Sequence, residues 1–495
     1  MTHVGEVHVQ AHPPERFARV IGEERTARFV AMADAARRLL DGRTVLNVNS
    51  TAAGGGVAEM LQTLLAYARG AGVDARWAVI TGDPPFFEVT KRIHNNLYGS
   101  PGDGGALDDE ARVLYEQTLE ANVGDLLTLV RPRDIVVLHD PQTAGLVEAV
   151  QAAGASVVWR CHVGTDTPNR YSEQAWAFLR PYLENVDALV FTRRTFAPGW
   201  ADDRRLHVIA PSIDPFSTKN QPIPPDEGAA ILAYAGLISG HDGPAPAPFT
   251  RRDGSPGRVD RHAEILQTGP PPRADTPLVV QVSRWDRMKD MVGVMQAFAA
   301  HVDGTADAHL VLAGPSVTGV ADDPEGAAVL DECMWAWGRL PHSARARVHL
   351  ACLPMRDPDE NATIVNALQR HAAIVVQKSL AEGFGLTVVE AMWKERPIVA
   401  SAVGGIADQI VDGEHGLLID DPTDLADFGS AVRRLLEDPA LAKRLAANAG
   451  RRASEDFLGD RHLERWAGVF AQLGGAAPSS GRGRSGGGVP GDLSP

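Results

Sequence analysis

Cysteine is scarce. Cys161, Cys333 and Cys352 are the only three in 495 residues, and no two form a CxxC pair. That excludes a disulfide framework and a cysteine-based zinc site, and a reducing cytoplasm is the compartment expected. Positive charge is short as well. A net charge of −15 leaves no broad basic surface with which to displace counterions from nucleic acid, so no nucleic-acid partner is expected and any ligand phosphate has to be met by a few local groups. No apolar run is long enough to span a bilayer, and the start MTHVGEVHVQAHPPERF has neither a basic cluster nor an apolar stretch behind it. A soluble, unexported protein with no membrane insertion is expected. HExxH and the phosphate-binding P-loop are also missing, no Ser-His-Asp elbow of the GxSxG kind is visible, and the glycines of NVNSTAAGGGVAEML are not a full GxGxxG, which removes the usual support for zinc protease, ATPase, serine hydrolase and dinucleotide oxidoreductase readings.

What is present is enough apolar residue, 44% against 22% charged, to build sizeable cores. A chain of this length predicts two domains of about 200 residues each. Short Val- and Ile-rich runs alternate with helical segments, the pattern of an α/β protein with mainly parallel sheets. The first half offers TVLNVN (44–49), RWAVI (76–80), DIVVLH (134–139), SVVWRC (156–161) and DALVFT (187–192); the second offers PLVVQVSR (277–284), AHLVLAG (308–314), RVHLACL (347–353), AAIVVQ (372–377) and RPIVAS (396–401). Two Rossmann-like domains follow, over 1–274 and 275–473. Residues 215–274 are read as a partly flexible Pro/Gly-rich insertion with room for a short helical hairpin around GAAILAYAGLI, and 474–495 as a disordered tail. The helix around 460–473 is expected to cross back onto the first domain.

Ligands of open parallel sheets bind beyond the carboxyl ends of the strands, and five stretches there carry chemistry. NVNSTAAGGGVAEML places three glycines, Gly54 to Gly56, after a strand and before a helix that begins near Gly56. They let backbone amides approach an anion or a sugar, although a flexible turn has the same composition. QVSRWDRMKD places Arg284 and Lys289 where both can reach one diphosphate, or where both simply face solvent. LAEGFGLTVVE places Glu382 in a loop and Glu390 near the first turn of the next helix, with Gly383, Phe384, Gly385 and Leu386 between them. Two carboxylates so spaced can accept hydroxyls from the two ends of a ligand, while Glu390 alone reads equally as an acid complementing the helix dipole. VLHDPQTAG and WRCHVGTD end two strands with His139 and His162, and Asp140 and Asp166 nearby are possible hydroxyl acceptors. A histidine at such a place is either functional or a satisfied core residue.

Together the GGG loop, the Arg284 and Lys289 pair and EGFGLTVVE followed by PIVASAVGGIADQIVDGEHGLL (397–418) resemble retaining glycosyltransferases of family 4, which have the GT-B architecture. NVNSTAAGGGVAEML, GDPPFFEVTKRIHNNLYG (82–99), WRCHVGTDTPN (159–169) and APSIDPFSTKN (210–220) are similar to the trehalose glycosyltransferring synthase group, close to the retaining trehalose phosphorylases. The resemblance implies a two-domain GT-B fold with the site in the interdomain cleft. It implies transfer of glucose between a nucleoside diphosphate glucose and free glucose, with no metal and no other cofactor. It further implies that Arg284 and Lys289 stabilise the leaving diphosphate, Glu390 holds the ribose, and Glu382 with the amides of Gly383 to Leu386 positions the sugar. His139 would contact that sugar, and Gly55 and Gly56 line the cleft. Arg160, His162, Asp166, Lys219 and Asn220 are the implied acceptor contacts. A homodimer is compatible with the family. The rival readings are a phosphorylase using inorganic phosphate, a transferase acting on another small acceptor, and a silent sugar-nucleotide sensor.

Overall fold

The computed structural model describes residues 3–52, 55–240, 247–302, 304–317 and 324–475. Sixteen strands are present among them. In chain order they are β1 (Val4–Glu6), β2 (Val45–Asn49), β3 (Ala75–Ile80), β4 (Ile135–His139), β5 (Ser156–Cys161), β6 (Ala188–Phe191), β7 (Leu206–Val208), β8 (Ala247–Thr250), β9 (Pro256–Val259), β10 (Glu264–Leu266), β11 (Leu278–Val282), β12 (His309–Pro315), β13 (Val348–Leu353), β14 (Ile374–Gln377), β15 (Ile398–Ser401) and β16 (Leu417–Ile419).

Two seven-stranded sheets have matching order, β1-β3-β2-β4-β5-β6-β7 and β10-β13-β12-β11-β14-β15-β16. In each, six parallel strands are edged by one short antiparallel strand, β1 on β3 and β10 on β13. Both sheets therefore reverse their winding once, between β2 and β4 in the first lobe and between β11 and β14 in the second, and a crevice for a ligand opens beyond the strand ends at such a reversal. The central strands β2 and β4 are buried along their whole length, and β5 and β11 on all but one residue, as expected for parallel strands covered by helices on both faces.

The segment 215–274 holds more regular structure than its composition suggests. A single helix, Pro225–Tyr234, takes the place of a helical hairpin and buries Ile231 and Leu232. β8 and β9 pair as a hairpin, and β10 hydrogen-bonds into the second sheet, so this part of the chain serves the second lobe before residue 275 is reached. Residues 241–246 and 476–495 lie outside the described residues; 474 and 475 end the last helix.

That last helix, Gly459–Gly475, packs on the first sheet. Trp466 and Val469 share one core cluster with Val45, Ile135, Val137, Val158, Ala188 and Val190. The opposite face of the same strands, through Leu46, Val136, Leu138, Val157 and Leu189, belongs to a separate core, as the two-residue side-chain period of a strand requires. No helix among the described residues is long and apolar enough to cross a membrane.

Candidate active site

The reversal point of the second sheet brings QVSRWDRMKD, after β11, beside LAEGFGLTVVE, after β14. Three contacts pin these loops together. Lys289 Nζ donates to Glu382 Oε2 at 2.6 Å, Lys378 pairs with Asp290, and Leu380 N donates to Met288 O at 2.7 Å. Lys378 is fully buried, and its partner Asp290 also caps the helix Met291–His301. Ser379 Oγ donates to Glu382 Oε2 at 3.2 Å and fixes the carboxylate from its other side. Arg284 is the exposed member of the group, its Nη2 3.5 Å from Asp286 Oδ2.

Behind Glu382 the helix Leu386–Trp393 starts from Gly385, at φ +85°, with no side chain capping it. Its first-turn amides and the positive end of its dipole make an anion site. Gly56, at the start of the helix Gly55–Gly70, meets it from the first lobe: a Cβ on Gly56 would lie 2.8 Å from Leu386 Cδ1. Two helix N-termini thus converge from opposite lobes. Gly54 lies outside the described residues.

Gly383 carries the contact between lobes. A side chain there would lie 2.8 Å from His162 O and 2.9 Å from the Tyr98 hydroxyl. Tyr98 and His94, four residues apart at the end of the helix Pro84–Leu97, form an edge-on ring pair at 5.1 Å. Burial first, and then the Glu382 carboxylate, push the Tyr98 hydroxyl pKa up. Burial and Lys91 bring His94 down to about 4, a neutral imidazole at neutral pH. Neither residue was singled out from the sequence. The signal was there, since an aromatic pair at i, i+4 closes a helix inside GDPPFFEVTKRIHNNLYG.

In the first lobe, β4 and β5 end side by side, with His139 opposite Arg160 in register. His139 Nε2 donates to Asn47 Oδ1 at 2.9 Å, and its ring stacks on His162 at 5.4 Å. Asp140, at φ +63°, accepts from His162 N at 2.9 Å and from His162 Nδ1 at 3.0 Å. Arg160 Nε donates to His162 Nε2 at 3.2 Å, so His162 carries its proton on Nδ1. Burial works against the Asp140 charge, but His162 outweighs it and holds the carboxyl at about 2. His139 lies 2% exposed, on the sheet face covered by the last helix. Arg160 is fully buried, its Nη2 donating to Ile209 O at 2.7 Å, and braces His162 from below.

Asp166 makes a bridge between the lobes. It accepts from Arg193 Nη1 at 2.5 Å, Thr195 Oγ1 at 2.9 Å and Gly404 N of the second lobe at 2.9 Å, while Arg193 Nε also reaches Asp408 at 2.6 Å. Lys219 and Asn220 stand apart from His162. Lys219 Nζ donates to Glu59 Oε2 at 2.8 Å and lies 3.6 Å from Glu390 Oε1. Asn220 Oδ1 accepts from Lys394 Nζ at 3.0 Å, and Gln369 Oε1 takes the same ammonium at 2.7 Å. Glu390 is in the second turn of its helix, not the first, and Oε2 is buried without a partner. Burial raises its pKa against the pull of Lys219. The same burial brings Lys394 down to about 7. Glu59 and Lys394 complete this seam and were not foreseen.

Comparison with known proteins accounts for the arrangement. Residues 47–198 match the family model for the trehalose synthase N-terminal domain, and residues 265–452 match group 1 glycosyl transferases. The chain is 33% identical over 463 residues to a trehalose synthase of Pyrococcus horikoshii, covering 93% of this chain and 96% of that protein. It is 35% identical over 446 residues to a trehalose synthase of Rubrobacter xylanophilus, covering 88% and 91%. Among solved structures, an α,α-trehalose-phosphate synthase (UDP-forming) from Burkholderia vietnamiensis shares the fold with a TM-score of 0.62 at 15% identity, over 88% of this chain and 99% of that one. The chain is a glycosyltransferase with the two-lobed GT-B fold and belongs to the trehalose synthase family.

Proposed function

We propose that the chain transfers glucose reversibly, with retention, between a nucleoside diphosphate glucose and free glucose to make α,α-1,1-linked trehalose. The observation that carries this reading is the Lys289–Glu382 pair at the uncapped N-terminus of Leu386–Trp393, facing a second helix N-terminus from the other lobe. An anion site beside a fixed carboxylate suits a diphosphate joined to a polyol.

As the bond from glucose C1 to the diphosphate oxygen breaks, negative charge grows on the phosphate. Arg284, Lys289 and the amides of Leu386 and Thr387 stabilise it, which is the largest electrostatic demand of the step. Glu382, held by Lys289 and Ser379, takes a hydroxyl of the transferred glucose. Glu390, with its unpartnered Oε2, takes the ribose diol. The acceptor hydroxyl attacks C1 on the face the phosphate leaves, and its proton passes to a phosphate oxygen, so no carboxylate forms a glycosyl-enzyme. His162 and Tyr98 face the Gly383 contact from the first lobe and are the acceptor-side groups in this reading, with Asp166 holding the lobes closed and water out. Charge neutralisation falls to the basic pair and the helix, with no divalent cation. The reaction runs on soluble substrates in the cytoplasm.

Phosphorus NMR of the purified protein with trehalose and UDP, ADP, GDP or inorganic phosphate, with EDTA present, tests this. A new nucleoside diphosphate glucose supports the reading and identifies the base. Glucose 1-phosphate from the phosphate tube alone replaces it with a phosphorolytic reaction, and no product in any tube overturns the donor, the acceptor or both.

A further inference from the structure

A cavity of about 360 Å³ opens in the first lobe, between the helix Arg170–Leu183 and the loop that follows β6. Small-molecule sites run from about 300 to 1,000 Å³, and none of the groups placed on the donor or acceptor side of the cleft lines this one. Its helical wall carries Glu173, Trp176, Ala177 and Arg180, spaced three, one and three residues apart and so on one face of the helix. Ala177 stands between the two charged residues, and its short side chain leaves the space between them open. Thr195 and Trp200 come from the loop.

Trp176 and Trp200 give the cavity two aromatic walls, their ring planes at 79° and their centroids 6.1 Å apart. The buried rings of Trp159, at 6.1 Å, and Phe191, at 6.0 Å, pack against Trp176 and hold it. That wall exists before a ligand arrives, so little ordering is left for binding to do. A fixed indole suits a pyranose, whose C–H face is apolar and slightly positive and lies well against the negative face of an aromatic ring. The hydroxyls around the sugar then need donors and acceptors. Glu173 offers acceptors, its carboxylate exposed and without a partner among the described residues. Arg180 offers donors beyond the Nε that reaches Glu184 Oε2 at 3.4 Å. The lining holds this one carboxylate, this one guanidinium and no other charged side chain, so no net charge draws a phosphate in. The cleft differs in this respect, since two helix N-termini and a basic pair meet there.

We propose that this cavity is a second sugar site that takes an uncharged hexose or disaccharide, its ring against Trp176 and Trp200 and its hydroxyls on Glu173 and Arg180. The inference rests on the proposed function only in expecting glucose or trehalose rather than another neutral sugar. The site lies one side chain from the junction of the lobes: Thr195 Oγ1 donates to Asp166 at 2.9 Å, and Asp166 accepts from Gly404 N at 2.9 Å.

The test needs neither turnover nor a nucleotide. The full chain is labelled with 5-fluorotryptophan, the ¹⁹F signals of Trp176 and Trp200 are assigned from Trp176→Phe and Trp200→Phe, and glucose, trehalose and glucose 6-phosphate are titrated in turn. Glucose or trehalose is expected to move both signals saturably, the sugar that acts at lower concentration being the occupant, and glucose 6-phosphate is expected to act more weakly than glucose. Ala177→Leu, which fills the space between Glu173 and Arg180, is expected to melt as the wild type does and to need at least tenfold more sugar for the same response. Signals that stay fixed under every sugar overturn the proposal. So does an equal or stronger response to glucose 6-phosphate, and so does a response that a folded Ala177→Leu leaves intact, because the sugar then acts from elsewhere. Should Ala177→Leu fail to fold, Glu173→Ala decides: a response weakened at least threefold supports the site, and a wild-type response overturns it. Since binding alone is read, a chain that responds to sugar but is silent with nucleotide sugars counts against the proposed reaction, and an active enzyme with fixed signals counts against the site.

Discussion

Gly404 stands where the two lobes and the Glu382 loop meet, and Gly404→Ala tests whether that junction sets catalysis. Gly404 has φ +51°, and a Cβ there would lie 1.6 Å from Glu382 O and 2.7 Å from Glu382 C. Heavy atoms do not approach so closely, so the Glu382 main chain has to retreat by more than an ångström. The positive φ adds a backbone cost of about 1–2 kcal/mol for an L-residue. The carboxylate of Glu382, held at 2.6 Å by Lys289, moves with its main chain, and a misplacement of about 1 Å at a reacting centre costs roughly 100-fold in rate, equivalent to about 2.7 kcal/mol of barrier. Gly413→Ala is the matched control, because Gly413 has φ +69° and nothing within 4 Å of its missing Cβ; it carries the strain without the collision. Steady-state rates in both directions, read beside thermal unfolding, are expected to show both variants destabilised and only Gly404→Ala slowed about 100-fold. Equal kcat in the two variants, or a Gly404→Ala enzyme with more than a third of wild-type kcat, refutes the argument.

Lys289→Met removes the ammonium that meets Glu382 and, in the proposed reaction, the leaving phosphate; kcat is expected to fall at least 100-fold, and a rate within threefold of wild type counts against that proposed role. Asp140 is held at about 2 by His162 against the cost of burial, below an unfolded value of about 3.9, so it stabilises the fold on the order of 2 kcal/mol above pH 4, a contribution lost as pH falls towards 2. The stability gap between wild type and Asp140→Asn, from chemical denaturation across that range, is expected to close towards acid, and a gap that is flat or widens contradicts the assignment. An apolar cavity of about 80 Å³ lies between the last helix and the helices Ala18–Leu39 and Gly55–Gly70. Ala467→Leu fills it from the last helix and is expected to add ~1–2 kcal/mol; a lower melting temperature would show that the space is not accessible to that side chain.

Apart from β7 and β16, each only three residues long, the parallel strands were legible because each is an apolar run bounded by polar turns, and SVVWRC was read to the residue as β5. The antiparallel edges β1 and β10 were not, being three residues long and defined by their partners alone. The helix start at Leu386 was readable from the glycines before it, but the burial of Glu390 against Lys219 was not, since it depends on a contact 171 residues away in sequence. His139 and Arg160 read as strand-end groups facing the cleft. Only the second helical layer shows that they face the last helix.

The last helix also sets a condition on how the molecule is made. During synthesis the first lobe emerges with Val137, Val158 and Val190 still facing solvent on one side, because the residues that cover them, Trp466 and Val469, are translated some 300 residues later. A ribosome adding about 5–20 residues per second leaves that face open for tens of seconds. The first lobe is thus begun first and finished last, and its stretch of bare β-surface is a natural client for a chaperone until the chain is released.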